Sequence, residues 1–247
     1  MKGLLVELFA GTASFRDPGG QLYHDTLPLP PPSTIAGMAG AAMGMAFEES
    51  LEWLKAGEVY VGCRGESGGG GKDLWNYVKI KSSKSESEGL THAVVLRTFL
   101  ADLKIEVYFA SENPEIIQRL KNAFENPVYA ITLGTSDELA KIKKVKIFDD
   151  IGKAVVKDIK NVWVIGDYTR NFKFDWELVK RQPLKLSLQA PVMKNLPVDF
   201  EVDAKGVRKG IKYVSVTFLS DMQLLDKDTE VYTFGAAKIP MFKLGSL

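Results

Sequence analysis

What this chain has little of narrows its chemistry first. Among 247 residues there is one cysteine, Cys63, and there are two histidines, His24 and His92. A lone cysteine excludes an internal disulfide framework and fits a reducing compartment. So few soft ligands, with no HExxH and no CxxC, exclude a Cys/His zinc site. Asp149-Asp150 reads as a solvated acidic pair before a turn, so no metal and no cofactor are expected. An excess of one charge is missing too: 32 basic against 31 acidic residues leave a net +1. Any nucleic-acid surface must therefore come from local clustering. Long apolar runs are also absent. Glu7 interrupts the first, which argues against a signal peptide, and Ile35 to Phe47 spans 13 residues, short of a bilayer. A cytoplasmic protein with no membrane partner is expected.

Phosphate cradles fare little better. In GESGGGGK the P-loop pattern fails, because Glu66 stands where its first glycine belongs and Asp73 follows Lys72 where Ser or Thr is needed. The four glycines read instead as a flexible connection. VELFAGTASF, Val6 to Phe15, looks like the glycine-rich turn of an S-adenosylmethionine-dependent methyltransferase. Ala13 replaces its second glycine, Arg16-Asp17-Pro18 extend a loop where a helix should start, and Glu115 follows Asn113-Pro114. That function is the remote alternative.

What is present is concentrated between Thr12 and Phe47. A loop from Ser14 to Thr26 carries Phe15, Arg16, Tyr23 and His24, side chains suited to stacking and to holding negative charge. Pro28, Pro30, Pro31 and Pro32 then stiffen the backbone towards polyproline II. Ser33 or Thr34 is placed to cap an apolar helix running to about Phe47, with Gly37, Gly40 and Gly44 on one close-packing face.

Around this stretch, strands are expected at 3–9, 58–64, 74–81, 92–100, 103–110 and 144–148. Ala101-Asp102 would be a turn, and residues 82–89 a polar tip. A helical turn over 50–56 ends at Gly57. Asn113-Pro114 opens a helix to about Phe124, and Ser136 a short one. The order to about residue 150 is the split βαβ, or ferredoxin-like, order with inserted hairpins. Strands at 162–165, 198–202 and 213–219, interrupted by Pro183, Pro191 and Pro197, predict a second β-rich lobe over 151–247 packed on the first domain, 1–150. The fold class is α+β.

Unpaired RNA is held by aromatic or guanidinium stacking together with phosphate contacts. Phe15, Arg16, Tyr23, His24, Arg64, Lys72, Trp75 and Tyr77 all fall in or beside loops opening from the first three strands. Lys141, Lys143, Lys144 and Lys146 form a further basic cluster, a pattern that is more often a solvated face. Cys63, on a strand, reads as a small buried hydrophobe.

TASFRDPGG…YHDTLPLPPPSTIAGMAGAAMG, with Tyr129-Ala-Ile-Thr-Leu-Gly-Thr-Ser-Asp-Glu-Leu downstream, resembles the Cas-five family of CRISPR-associated proteins within the RAMP superfamily. The resemblance implies an RRM-related, ferredoxin-like core with an inserted hairpin. It implies an RNA-binding subunit of a type I Cascade complex that caps the 5′ handle of CRISPR RNA in antiviral defence. The partners so implied are a backbone-forming subunit and the large subunit. Where the family often carries arginine after the downstream Leu-Gly, this chain has Thr135. Some relatives are metal-independent endoribonucleases, which need a base for the 2′-hydroxyl and a cation for the phosphorane. Tyr23, His24 and Lys72 are the only set for that alternative, and a non-catalytic subunit is the expectation.

Overall fold

The computed structural model describes residues 1–20, 23–79, 91–181, 190–203 and 207–245, without the side chains of Tyr77, Lys79 and Thr91. The first half runs β1 (Lys2–Ala13), β2 (Phe15–Arg16), β3 (Thr26–Leu27), α1 (Pro32–Met43), α2 (Phe47–Ala56), β4 (Tyr60–Glu66), β5 (Gly69–Lys79), β6 (Thr91–Ser111), α3 (Pro114–Glu125) and β7 (Lys141–Phe148). The second half continues with β8 (Gly152–Val156), β9 (Val162–Ile165), β10 (Phe172–Phe174), α4 (Trp176–Val179), β11 (Val192–Val202), β12 (Arg208–Leu219), β13 (Gln223–Leu225), β14 (Thr229–Phe234), β15 (Ala237–Ile239) and β16 (Phe242–Lys243). Strands dominate, with few helices.

β1 lies at the centre because it is apolar on both faces, as a doubly covered strand must be. It pairs antiparallel with β6 on one side and β7 on the other, and β4 pairs antiparallel with β6. Leu4, Val6 and Leu8 point to the face where Ile35 and Met38 of α1 and Ile117, Leu120 and Phe124 of α3 complete the main core. Leu5 and Tyr108 point the other way, into a second core closed by Phe234, Ile239 and Met241. That second core is roofed by the small β15-β14-β8 sheet.

The expected division near residue 150 does not coincide with a break in the sheet. Its order is β11-β12-β9-β4-β6-β1-β7, so strands from the second half continue it beyond β4. β16 also pairs with β4. The strands expected at 162–165, 198–202 and 213–219 are found within β9, β11 and β12.

Several local expectations need correction. Neither Ser33 nor Thr34 caps α1; the cap is Pro31, with Pro32 at the first position, and the Pro31 carbonyl accepts from the Thr34 and Ile35 N–H groups. Proline's fixed φ prepares that first turn. The helix stops at Met43 because Gly44 turns left-handed at φ 74°, and a separate α2 begins at Phe47. The glycine run is no loose loop: Gly69 to Lys72 pair with β6, and a Cβ at Gly71 would strike the Phe99 ring. Ala101-Asp102 is no hairpin turn either. β6 runs unbroken for 21 residues, Asp102 adopting φ 50° near where its neighbour on one side changes from β5 to β4. No helix forms at Ser136; a turn closed by the Thr132–Leu139 bridge stands there. The tip expected at 82–89 and Pro183 lie outside the described residues.

Candidate nucleic-acid interface

The loop after β1 is held in place by backbone pairing rather than by packing alone. β2 and β3 pair through Phe15–Leu27 and Arg16–Thr26. The His24 N–H donates to the Leu96 carbonyl at 2.9 Å, and the Thr98 N–H donates to the His24 carbonyl at 2.8 Å. His24 thus runs parallel beside Arg97 along the free edge of the β5–β6 hairpin. Thr98 Oγ1 fastens the join, donating to Asp25 Oδ1 and accepting from the Thr26 N–H, both at 2.8 Å.

Paired residues on neighbouring strands point to the same face. Trp75, Asp73, Arg97 and His24 therefore share one side of the hairpin. The His24 and Trp75 rings meet edge-on with centroids 6.0 Å apart, and the Arg97 guanidinium lies 5.3 Å from the Trp75 centroid. Arg97 Nη2 donates to Asp73 at 3.3 Å and Nη1 to Thr135 Oγ1 at 3.2 Å. Below sits Glu138, fully buried, whose Oε2 accepts from Ser14 Oγ and from the Thr135 N–H, both at 2.7 Å. His24, Trp75, Arg97 and Thr135, together with Arg16 and Asp25, line a recess of about 320 Å³. Arg16, Arg97 and the Asp25 carboxylate all face it; burial, then Arg16 and then Arg97 hold His24 below its ordinary pKa of 6.5.

Of the residues expected from sequence, Arg16, His24 and Trp75 are brought together here. Phe15 is not part of the exposed surface. Its side chain points opposite to Arg16 and is 2 % exposed within the main core, so it packs rather than stacks on a ligand. Tyr23 is exposed on the same loop. The Tyr77 backbone belongs to β5, but its side chain lies outside the described residues.

Arg64 and Lys72 go elsewhere. Arg64 is on the uncovered half of the sheet face opposite the helices, with Nε 2.9 Å from Glu106 Oε2, an oxygen to which the Tyr108 hydroxyl also donates. It lines a separate recess of about 910 Å³ with Phe9, Lys104 and Lys143. Lys72 is paired with Thr98, one residue on from Arg97, and so projects from the opposite face of the hairpin to His24. In the β7 basic cluster Lys144 pairs with Glu7 at 3.0 Å, while Lys143 and Lys146 lie over Phe9 and Phe148. Cys63 is buried, its thiol pKa pushed up by desolvation.

Arg97 and Thr98 were not anticipated, nor was the meeting of Arg97 with Thr135 and Glu138 of the downstream segment. Their roles come from strand register and from a contact between segments about forty residues apart, neither of which leaves a local pattern. Among the described residues no cluster of three or more His, Cys, Asp or Glu could hold a metal, and no helix is long and apolar enough to cross a membrane.

The family described as CRISPR-associated protein (Cas_Cas5) matches residues 3–192. No curated protein matches the sequence. Among solved structures, a CRISPR protein from Archaeoglobus fulgidus superposes with a TM-score of 0.54 at 16 % identity, over 98 % of this chain and 100 % of that one. A chain of a CRISPR RNA-guided surveillance complex gives 0.49 at 19 % identity over 90 % and 91 %. A further Cas protein gives 0.36 at 21 %, over 55 % of this chain and 57 % of that one.

Proposed function

The chain belongs to the Cas5 family of CRISPR-associated proteins, and from that premise we propose that it is an RNA-binding subunit of a type I Cascade complex, gripping the 5′ handle of CRISPR RNA. One observation carries this reading: Arg16, His24, Trp75 and Arg97, from segments far apart in sequence, line a single recess. Cationic and aromatic groups side by side are what an unpaired nucleotide requires, a π-face for its base and guanidinium groups for its phosphate. Thr135 stands where relatives often have arginine, and Arg97 brings a guanidinium to that spot from β6.

We read the β4-β6-β1-β7 order, with α1 and α3 on one face, as the ferredoxin-like, RRM-related core of the RAMP proteins. The β5–β6 hairpin is its insertion. It exposes Leu74, Val94 and Leu96, and two-stranded ribbons need support from other surfaces. A neighbouring backbone subunit supplies that support in this reading, with the large subunit as a further partner.

The endoribonuclease alternative is disfavoured because Lys72 points away from His24. The methyltransferase alternative loses its setting: β1 is the centre of an antiparallel sheet, not the first strand of a doubly wound parallel one. The test is binding of repeat-derived RNA in EDTA by the purified chain. Tight binding without cleavage, weakened by Trp75→Ala, is expected. Cleavage lost on His24→Ala would restore the nuclease, and no binding at all would overturn the proposal.

A further inference from the structure

A second hollow adjoins the first. It measures about 680 Å³, lies beneath α1, and shares Arg16, Thr34 and Gly134 as walls with the smaller recess, so the two meet at the Arg16 side chain. Its far end is aromatic. The half-buried rings of Phe47 and Phe200 meet edge-on at 5.4 Å and 85°, and Arg208 lies 4.2 Å over Phe47. Arg208 is anchored from behind by Glu48, its Nε donating to Oε1 at 2.8 Å. Among the described residues the walls include two arginines and no carboxylate.

One wall residue of α1, Gly37, has no packing reason to be glycine. Gly40 of α1 is explained by packing, since a Cβ there would come within 2.8 Å of Ser50. Gly37 is not: a Cβ there would meet only the Phe47 ring, at 3.8 Å. A glycine inside a helix weakens it relative to alanine, and here the space beside it opens into the hollow. A larger residue would project into it, towards Phe47.

We propose that this hollow is a second nucleobase subsite, so that one RNA strand places a base against Trp75, a phosphate at Arg16 and another base against Phe47 and Phe200. The inference rests on the RNA-binding reading above. A protein side chain is the lesser fit, because two aromatic rings at one end and Arg16, which has no ion pair among the described residues, at the other suit a flat neutral ring on an anionic backbone.

The test uses an oligouridylate carrying 4-thiouridine, photo-cross-linked to the full chain and mapped by mass spectrometry. Cross-links at Trp75 and at Phe47 or Phe200 are expected. Gly37→Leu should abolish the second set, keep the first, and weaken binding by about tenfold, in the range that loss of one stacked base gives. Phe200→Ala should weaken binding similarly without filling the hollow. If cross-links form at Trp75 alone and neither variant alters affinity, the second subsite is refuted while the proposed function stands. If no cross-link forms at either place, both fall.

Discussion

Arg97 Nη1 lies 3.7 Å from Oε1 of Glu138, a carboxylate 1 % exposed to solvent. The contact ties three segments together, because Glu138 Oε2 already receives Ser14 from the end of β1 and Thr135 from its own turn. Arg97 Nε and Glu138 Oε1 make no hydrogen bond among the described residues. Charge attraction in a poorly hydrated place therefore carries part of the join.

Glu138→Ala should accordingly be one of the costlier single changes. It strands the Ser14 hydroxyl and the Thr135 N–H and removes the counter-charge of Arg97, for a loss of about 3 kcal/mol. Glu138→Gln keeps an accepting oxygen and should lose less. Urea denaturation of both variants measures the difference: a Glu138→Gln variant as stable as the unsubstituted chain would show that charge is irrelevant there, and equal losses in the two variants that the accepting oxygen is.

Trp75→Ala separates function from stability. The ring is 39 % exposed on a two-stranded ribbon, so folding should change little. RNA affinity should fall by about 1–3 kcal/mol, the usual value of one stacked base. Fluorescence anisotropy with single-stranded RNA, alongside a thermal melt, reads both quantities.

The sequence was most legible where chemistry is local. Alternation marked the strands that became β4 and β5, an apolar run marked β1, and Asn113-Pro114 marked α3, whose first turn is capped by the Asn113 side chain. Arg16, His24 and Trp75 were visible because loops and strand ends advertise exposed aromatics and cations. Phe15 misled because the period of two that exposes Arg16 also buries its neighbour, and only the Phe15–Leu27 pairing says which of the two faces inward. Arg97 has no motif, and although Glu138 sits in the downstream family segment, their meeting was invisible because it is decided by how the 131–139 turn docks on the hairpin. Lys72 was misjudged by a single step of register.

Arg16 and Arg64, both cations expected to touch RNA, should now behave differently. Among the described residues Arg16 has no ion pair and stands in the recess, whereas Arg64 is committed to Glu106. Arg16→Ala should lower the log–log salt slope of single-stranded RNA binding by about 0.7, the value of one phosphate contact. Arg64→Ala should leave that slope alone. A reversed pattern would move the interface to the open sheet face.

His24 makes the site sensitive to pH in a predictable direction. Its folded pKa is below the ordinary 6.5, through burial and the two arginines. The unfolded chain thus binds more protons, and the stability His24 confers is present above about pH 6.5 and declines as pH falls below it. A bound phosphate opposes the two arginines and raises the imidazole pKa. RNA affinity should therefore strengthen as pH drops from about 8 to about 6. NMR titration of the His24 imidazole with and without RNA checks the sign, and His24→Gln should flatten the affinity profile.

Gly134 is the remaining constraint on the recess, and it is conformational. Its φ of 140° is one that side chains rarely adopt, and a Cβ there would collide with both the Ser14 carbonyl and the Glu138 carboxylate. Gly134→Ala therefore has to push the turn away from β1, separating Thr135 from Arg97. Strain of about 1–3 kcal/mol is expected at such a residue, and it should appear as lost stability together with weakened RNA binding. Ala at Gly69, where a Cβ meets nothing within 4 Å, is the matched control. If Gly134→Ala binds and melts like the Gly69→Ala control, the turn is free to move, and Arg97 cannot owe its placement to it.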